Sequence, residues 1–392
     1  MQRRLLLCLF GLGTNVGLKR IASQQPRIND DELRYVKRRF IQKDALRSAI
    51  SHIVNGIFRI RQPGIWGNAT TSCTADSRKF GAYDQNLMTE WHARYGGRGV
   101  MIYWHVDTHS TCIYSQLRRS SSSEVAAMTD GVLRHCTDME INHQYVDSHG
   151  QSEVAFAFND VLGFDLLPRL EAIARQKLYV CEKEDASMYP HLTPILTRGI
   201  DWELIAQQYD EIIKYTAALK VGTAELEAIL RRFTRNNIQH PTYKALAELG
   251  KAIKIIFLCR YLHDESLRCE INAGLNVVEN WNSANNFIFY GEHGEFTSNR
   301  TADQELSMLS LHLLQISLVY INTLLIQNVL SEPTWRQRMT EEDWRGLTLL
   351  IYHHLNPYGR IELNMEQLQG IGRLMMSKTV GFVHPFTNMY ES

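Results

Sequence analysis

Over the first 62 residues, apolar positions recur at helical spacing. KDALRSAISHIVNGIFRI carries one apolar stripe and stops at Pro63-Gly64, so residues 1–62 read as a helical segment. From residue 63 the period shortens. Thr70, Thr71 and Thr74 make a strand-like approach that ends at Asp76, and GVMIYWHV (99–106) with STCIYSQL (110–117) flank Asp107-Thr108-His109 as a hairpin. Ser121-Ser122-Ser123-Glu124 offers a capping box for a helix that turns Val125, Met128, Val132 and Leu133 inward. Ile141 to Val146 has the aromatic and β-branched content of a strand, broken by Ser148-His149-Gly150. Gln151 and Ser152 then open a helix with Val154, Phe158 and Val161 on one face, closed by Gly163. This order predicts a mixed α/β part over 63–198, with antiparallel strands first and a parallel crossover after.

Residues 199–272 read as all-helical, with Asp201, Thr223 and Thr242 as starts and Gly222 and Gly250 as stops or breaks. Residues 273–392 are expected to complete the core. They hold a helix over 276–290, the turn YGEHGE, a long apolar helix from Leu306 to Leu330, and a capped helix TEEDWRGLTLLIYHHL before NPYG. Leu306 to Leu330 carries His312, Gln315, Asn322 and Gln327. A buried helix explains it better than a membrane span, and no membrane partner is expected.

Composition narrows the function classes. Of 392 residues, 44% are apolar and 21% charged, as in ordinary globular proteins. Lys+Arg and Asp+Glu both number 42, so any polyanion site must be a local patch, with Arg34 to Arg47 and Arg231 to Arg235 as candidates. Seven scattered cysteines without a C-x-x-C pair suggest neither a disulfide framework nor a zinc knuckle, and fit a reducing cytoplasm. The opening MQRRLLLCLFGLGTNVGLKR mimics a signal peptide but has no A-x-A site, which argues against secretion.

Three acids stand out by context. Asp76 follows a strand-like run, Asp147 ends a strand, and Glu279 shares a helix face with Asn282, Ser283 and Asn286. Singly, each has a plain structural role as turn former, cap or ion-pair partner. Together they are the hard-oxygen ligand type of a two-metal phosphoryl-transfer site, and their carboxyl groups are expected within metal-bridging reach. The long interval from Asp147 to Glu279 exceeds one crossover and demands the helical unit read at 199–272. HVDTH places His105, Asp107 and His109 at alternate positions, which a hairpin turn explains better than a metal site.

The stretches TSCTADSRKFGAYDQNLMTEWHARYGGRG, YVDSHGQSEVAFAFNDVLGFDLLPRL, HPTYKALAELGKA, GLNVVENWNSANNFIFYG, SLVYINTLLIQ and LTLLIYHHLNPYG together resemble the catalytic region of the Tn3-family replicative transposases. The resemblance spans essentially the whole chain. It implies an α/β fold with large helical content: an RNase H-like mixed sheet, an all-helical insertion and helical flanks. It also implies a DDE triad of Asp76, Asp147 and Glu279, catalytic and metal-binding at once, with two Mg²⁺ ions for which Mn²⁺ can substitute. The implied partners are DNA, both transposon ends with terminal inverted repeats and target DNA, and a second copy in a full-length homodimer. The implied setting is the bacterial cytoplasm, at the nucleoid.

Metal-dependent strand cleavage followed by strand transfer is thus the expected activity. The alternatives are an RNase H-like nuclease that only hydrolyses DNA, and a non-enzymatic remnant that interferes with intact transposase. Asn68 stands where related proteins often carry an acid, while Asp76 is retained. LCLFGLGTNVGLKRI resembles an interior segment of these transposases, so the chain is expected to be an amino-terminally truncated part of a larger one, a gene remnant or an expressed fragment. Without a recognition-helix module, it is expected to bind transposon ends and scrambled duplex weakly and nearly equally.

Overall fold

A computed structural model describes residues 1–365, except 84–85, 87–88, 93–95, 183–186 and 235–239 and the side chain of His149. Arg235 of the second basic run therefore lies outside the described residues.

The amino-terminal segment folds as α1 (Gln2–Gly13), α2 (Leu18–Ser23), α3 (Asp30–Phe40), α4 (Lys43–Ile60) and the single turn α5 (Pro63–Trp66). Helix α3 opens with a capping box between Asn29 and Glu32, and its termini carry the charges that suit a helix dipole. Part of the first basic run is engaged within the chain, where Lys37 meets Asp303 at 2.7 Å and Lys43 meets Glu305 at 2.7 Å.

The sheet is built from β1 (Ser72–Gly81), β2 (Glu90–Trp91), β3 (Arg98–Asp107), β4 (Cys112–Arg118), β5 (His143–Val146) and β6 (Asp165–Pro168). The order is β2-β3-β1-β5-β6, with β4 also paired to β3. Strands β1, β3 and β4 are antiparallel; β5 is parallel to β1, and β6 to β5. Helix α6 (Glu124–Arg134) leads into β5, and α7 (Glu153–Leu162) makes the crossover to β6. The hairpin, the Ser152 cap and the left-handed Gly163 (φ 96°) stand where the pattern of residues puts them. A small parallel pair, β7 (Leu178–Val180) and β8 (Leu196–Gly199), follows.

Next come α8 (Trp202–Val221), α9 (Leu226–Phe233), α10 (Pro241–His263) and α11 (Glu265–Ile288). Buried Ile212, Leu219, Ile229, Phe233 and Leu246 join Val154 and Phe158 of α7 in one apolar cluster, which fastens this helical unit to the sheet's crossover helix. The long α12 (Thr301–Leu330) precedes α13 (Pro333–Arg338) and α14 (Glu341–Gly346). By length and composition α12 could cross a membrane, yet its polar residues are buried and bonded to the protein. His312 engages the Cys112 carbonyl and Ser115, Gln315 donates to the Trp281 carbonyl, and Gln327 accepts from Gln62 N and Trp66 Nε1. It is the spine of the core.

Several local expectations give way. Strand β1 does not end before Asp76 but runs through it to Gly81, because β3 pairs with it along that whole length. Ser123 alone caps α6 by accepting from Ala126 N, and Glu124 is its first helical residue, so the capping box does not form. Helix α9 follows Glu225, which makes no side-chain cap, and α10 is capped by His240, rather than either starting at Thr223 or Thr242. Gly250 does not break α10; it sits against α7, where a Cβ would lie 1.7 Å from the Glu153 carbonyl oxygen. Helix α11 begins at Glu265, eleven residues before the expected 276, on an Asp264 cap. Helix α14 stops at Gly346, since the Leu349 and Ile351 carbonyls accept from Asn322 instead of continuing a helix.

Candidate functional site

Parallel register builds the first half of the site. The last β1–β5 pair is Ala75 with Val146, so Asp76 and Asp147 are the next residues on neighbouring strands. There β5 ends and its chain turns through Ser148–Gln151, leaving that edge of β1 open beside Asp76. Across β3, Asp76 stands opposite Trp104, whose ring meets Trp281 of α11 at 5.9 Å between centroids. Cross-strand neighbours share a face, so this face is the one α11 covers. A Cβ on Gly274 would strike Tyr145 at 2.6 Å and Thr74 at 2.9 Å, so only glycine lets α11 lie this close to β1 and β5.

The close approach aligns the next turns of α11 with Asp76. Asn282 donates from Nδ2 to Asp76 Oδ2 at 2.9 Å, and Ser77 N donates to Oδ1 at 2.7 Å. Of the expected polar face, only Asn282 is buried; Glu279, Ser283 and Asn286 are exposed, and the Ser283 hydroxyl donates back to the Glu279 carbonyl at 3.0 Å.

The electrostatics register the same gathering. The Asp76 carboxyl is pushed up to about 7, first by burial and next by the charge of Asp147; Glu124 and Glu279 add to this, and the Ser77 N–H opposes it. By surface area the residue keeps some access to solvent, as a site open at a strand end requires. Tyr103 reports independently: its hydroxyl is held well above the ordinary phenol range by burial, then by Glu124, Asp76 and Asp147. Asp147 and Glu279 are thus both within electrostatic reach of Asp76, and Glu124 joins them. Residue patterning had read Glu124 only as a cap, since nothing local tells that the α6 amino terminus comes within electrostatic reach of Asp76.

The gathering stops short of ligating contact. Among the described residues no group of three or more His, Cys, Asp and Glu side chains is close enough to hold a metal ion, so the expected metal-bridging approach is not reached. The HVDTH side chains are engaged with other parts of the protein. His105 hydrogen-bonds the Met128 carbonyl, Asp107 is ion-paired to Arg61 at 2.5 Å, and His109 lies edge-on to Trp66.

A family model described as Tn3 transposase DDE domain matches residues 1–361. The chain belongs to this family. Its similarity to the transposase for transposon Tn1546 of Enterococcus faecium is 28% identity over 94% of this chain and 37% of that protein. The transposase for transposon Tn2501 of Escherichia coli is 26% identical over 93% of this chain and 36% of its own length. The transposase for transposon gamma-delta of Escherichia coli K12 is 23% identical over 92% and 36%. The Tn3-family chain described here spans about a third of the length of these relatives.

Proposed function

We propose that this DDE domain cleaves DNA strands and transfers the released 3′ end to target DNA, with Asp76, Asp147 and Glu279 as its metal-holding triad. The observation that carries the reading is the register of β1 and β5, which sets Asp76 beside Asp147 at the open strand end while α11 brings Glu279 within electrostatic reach of Asp76. Four antiparallel strands, β1 to β4, followed by the parallel β5 and β6 support an RNase H-like core. The transposases to which the chain is similar support DNA as the partner.

The donor set fits a hard divalent cation. Carboxylate oxygens are the ligands Mg²⁺ prefers, and an aspartate lifted to about 7, first by burial and then by the charge of Asp147, is one whose ionised form a cation would favour. Mg²⁺ held by Asp76, Asp147 and Glu279, with Mn²⁺ as substitute, would supply the activation of water or a 3′-OH and the charge stabilisation at the scissile phosphate. The residues themselves have narrower tasks. Asn282 and the Ser77 N–H fix the Asp76 carboxylate plane and favour its ionised form. Asp147 adjoins a four-residue 3₁₀ turn at the strand's end, past the last β1–β5 pair. Glu279, exposed on α11, has the reach to close on a bound cation.

The test is metal-dependent nicking of supercoiled DNA, followed by transfer of a labelled 3′ end into a plasmid. Nicking and transfer by the chain, both lost in Asp147→Asn, are expected. Nicking without transfer would favour the hydrolytic nuclease. No nicking by a folded chain would favour the non-enzymatic remnant.

A further inference from the structure

Beside the Asp147 turn lies a cavity of about 170 Å³ with four cationic side chains on its wall. Arg175, Lys177, Lys251 and Lys254 line it with the Tyr179 ring, and Glu153 is the one acid on its wall among the described residues. The inner pair is held in place. Lys251 donates to Glu248 at 2.6 Å and lies 5.2 Å from the centre of the Tyr179 ring, while Lys254 donates to the Gln151 carbonyl at 3.0 Å. The outer pair is exposed, and among the described residues neither Arg175 nor Lys177 meets an acid. Lys177 only reaches the Pro194 carbonyl at 3.4 Å.

The cavity is joined to the candidate site by the backbone. Four residues after Asp147, Gln151 accepts from Gln176 at 3.1 Å and donates to the Arg169 carbonyl at 3.2 Å. Arg169 N in turn bonds the Val146 carbonyl at 2.9 Å. One hydrogen-bonded patch thus runs from the end of β5 to the cationic wall. In a chain with equal numbers of acidic and basic residues, four cations around so small a space are a concentrated exception. Its size suits a phosphate group.

We infer that this cavity seats a phosphate of the DNA backbone flanking the scissile position, with Arg175 and Lys177 as its positioning residues. The inference rests on the reading of the domain as acting on DNA. Such a contact fixes where the strand lies and carries no base information.

The experiment follows a fluorescent duplex by anisotropy with the full chain, in EDTA, across a series of salt concentrations. Arg175→Gln with Lys177→Gln is expected to weaken binding several-fold and to flatten the slope of log affinity against log salt by about 1 to 2, since each phosphate contact contributes about 0.9 to that slope. A control removing two exposed charges from α8, Lys214→Gln with Lys220→Gln, is expected to leave the slope nearly unchanged. An unchanged slope in the first variant, or an equal loss in the control, would overturn the cavity assignment. The proposed chemistry is scored separately by nicking, so binding that depends on Arg175 and Lys177 without nicking would count against the function alone. No binding at low salt would overturn both.

Discussion

Asn282 and Asp76 are tied across elements, amide nitrogen to carboxylate oxygen at 2.9 Å, so helix α11 and strand β1 share one hydrogen bond at the centre of the candidate site. A hydrogen bond to a charged group is worth about 1.5–3 kcal/mol. Asn282→Ala is therefore expected to lower cleavage about tenfold or more while the far-ultraviolet dichroism is kept, because Asn282 orients the Asp76 carboxylate. Full activity in this variant would separate the tie from function.

The crowding of acids around Asp76 predicts metal-linked stability. Mg²⁺ should raise the melting temperature of the wild-type chain, and a chelator should reverse the rise, because a ligand that binds only the folded state stabilises it. Asp76→Asn and Asp147→Asn should lose most of that rise together with DNA cleavage. A melting shift as large as wild type in either variant would place the metal elsewhere.

Two buried histidines set an acid limit. Burial lowers both His105 and His312 to about 4, against the partial opposing effect of hydrogen bonds to the Met128 and Cys112 carbonyls. Both folded values lie below the unfolded one near 6.5, so the unfolded chain binds protons first as pH falls. Their contribution to stability is complete above about pH 6.5 and is lost as the pH descends towards about 4, at up to about 1.4 kcal/mol per pH unit for each. Urea unfolding at stepped pH should show this limb. His312→Gln should make it shallower than wild type, and an identical slope would argue against His312.

Gly250 offers a packing test. A methyl group there would meet the Glu153 carbonyl oxygen at 1.7 Å, and backbone cannot step aside as a flexible side chain can. Gly250→Ala is expected to cost about 3 kcal/mol. Gly346→Ala, with nothing within 4 Å of the added atom, should cost little. Equal midpoints in denaturant for the two variants would contradict the close crossing of α7 and α10.

What lay open in the sequence was whatever neighbouring residues decide among themselves. Alternation and β-branching marked β3, β4 and β5; Ser152 and Asp201 marked helix starts; Gly163 and Gly222 marked helix ends, both in the left-handed conformation. The three acids were visible as residues out of keeping with their surroundings, and the family blocks gave them a shared role to be tested. What only the tertiary structure decided depended on partners distant in the chain. The parallel register that sets Asp76 beside Asp147, and the approach of Glu124, come from strands and helices packing across intervals that no local signal spans. Gly250 reads locally as a helix breaker, yet α10 continues through it because the fold needs a surface without a side chain against α7. The end of α14 is likewise set by Asn322, whose amide claims the carbonyls that a longer helix would have used. Periodicity and caps act over a turn or two of chain, whereas register, crossing distance and shared fields arise only once distant segments are pressed together.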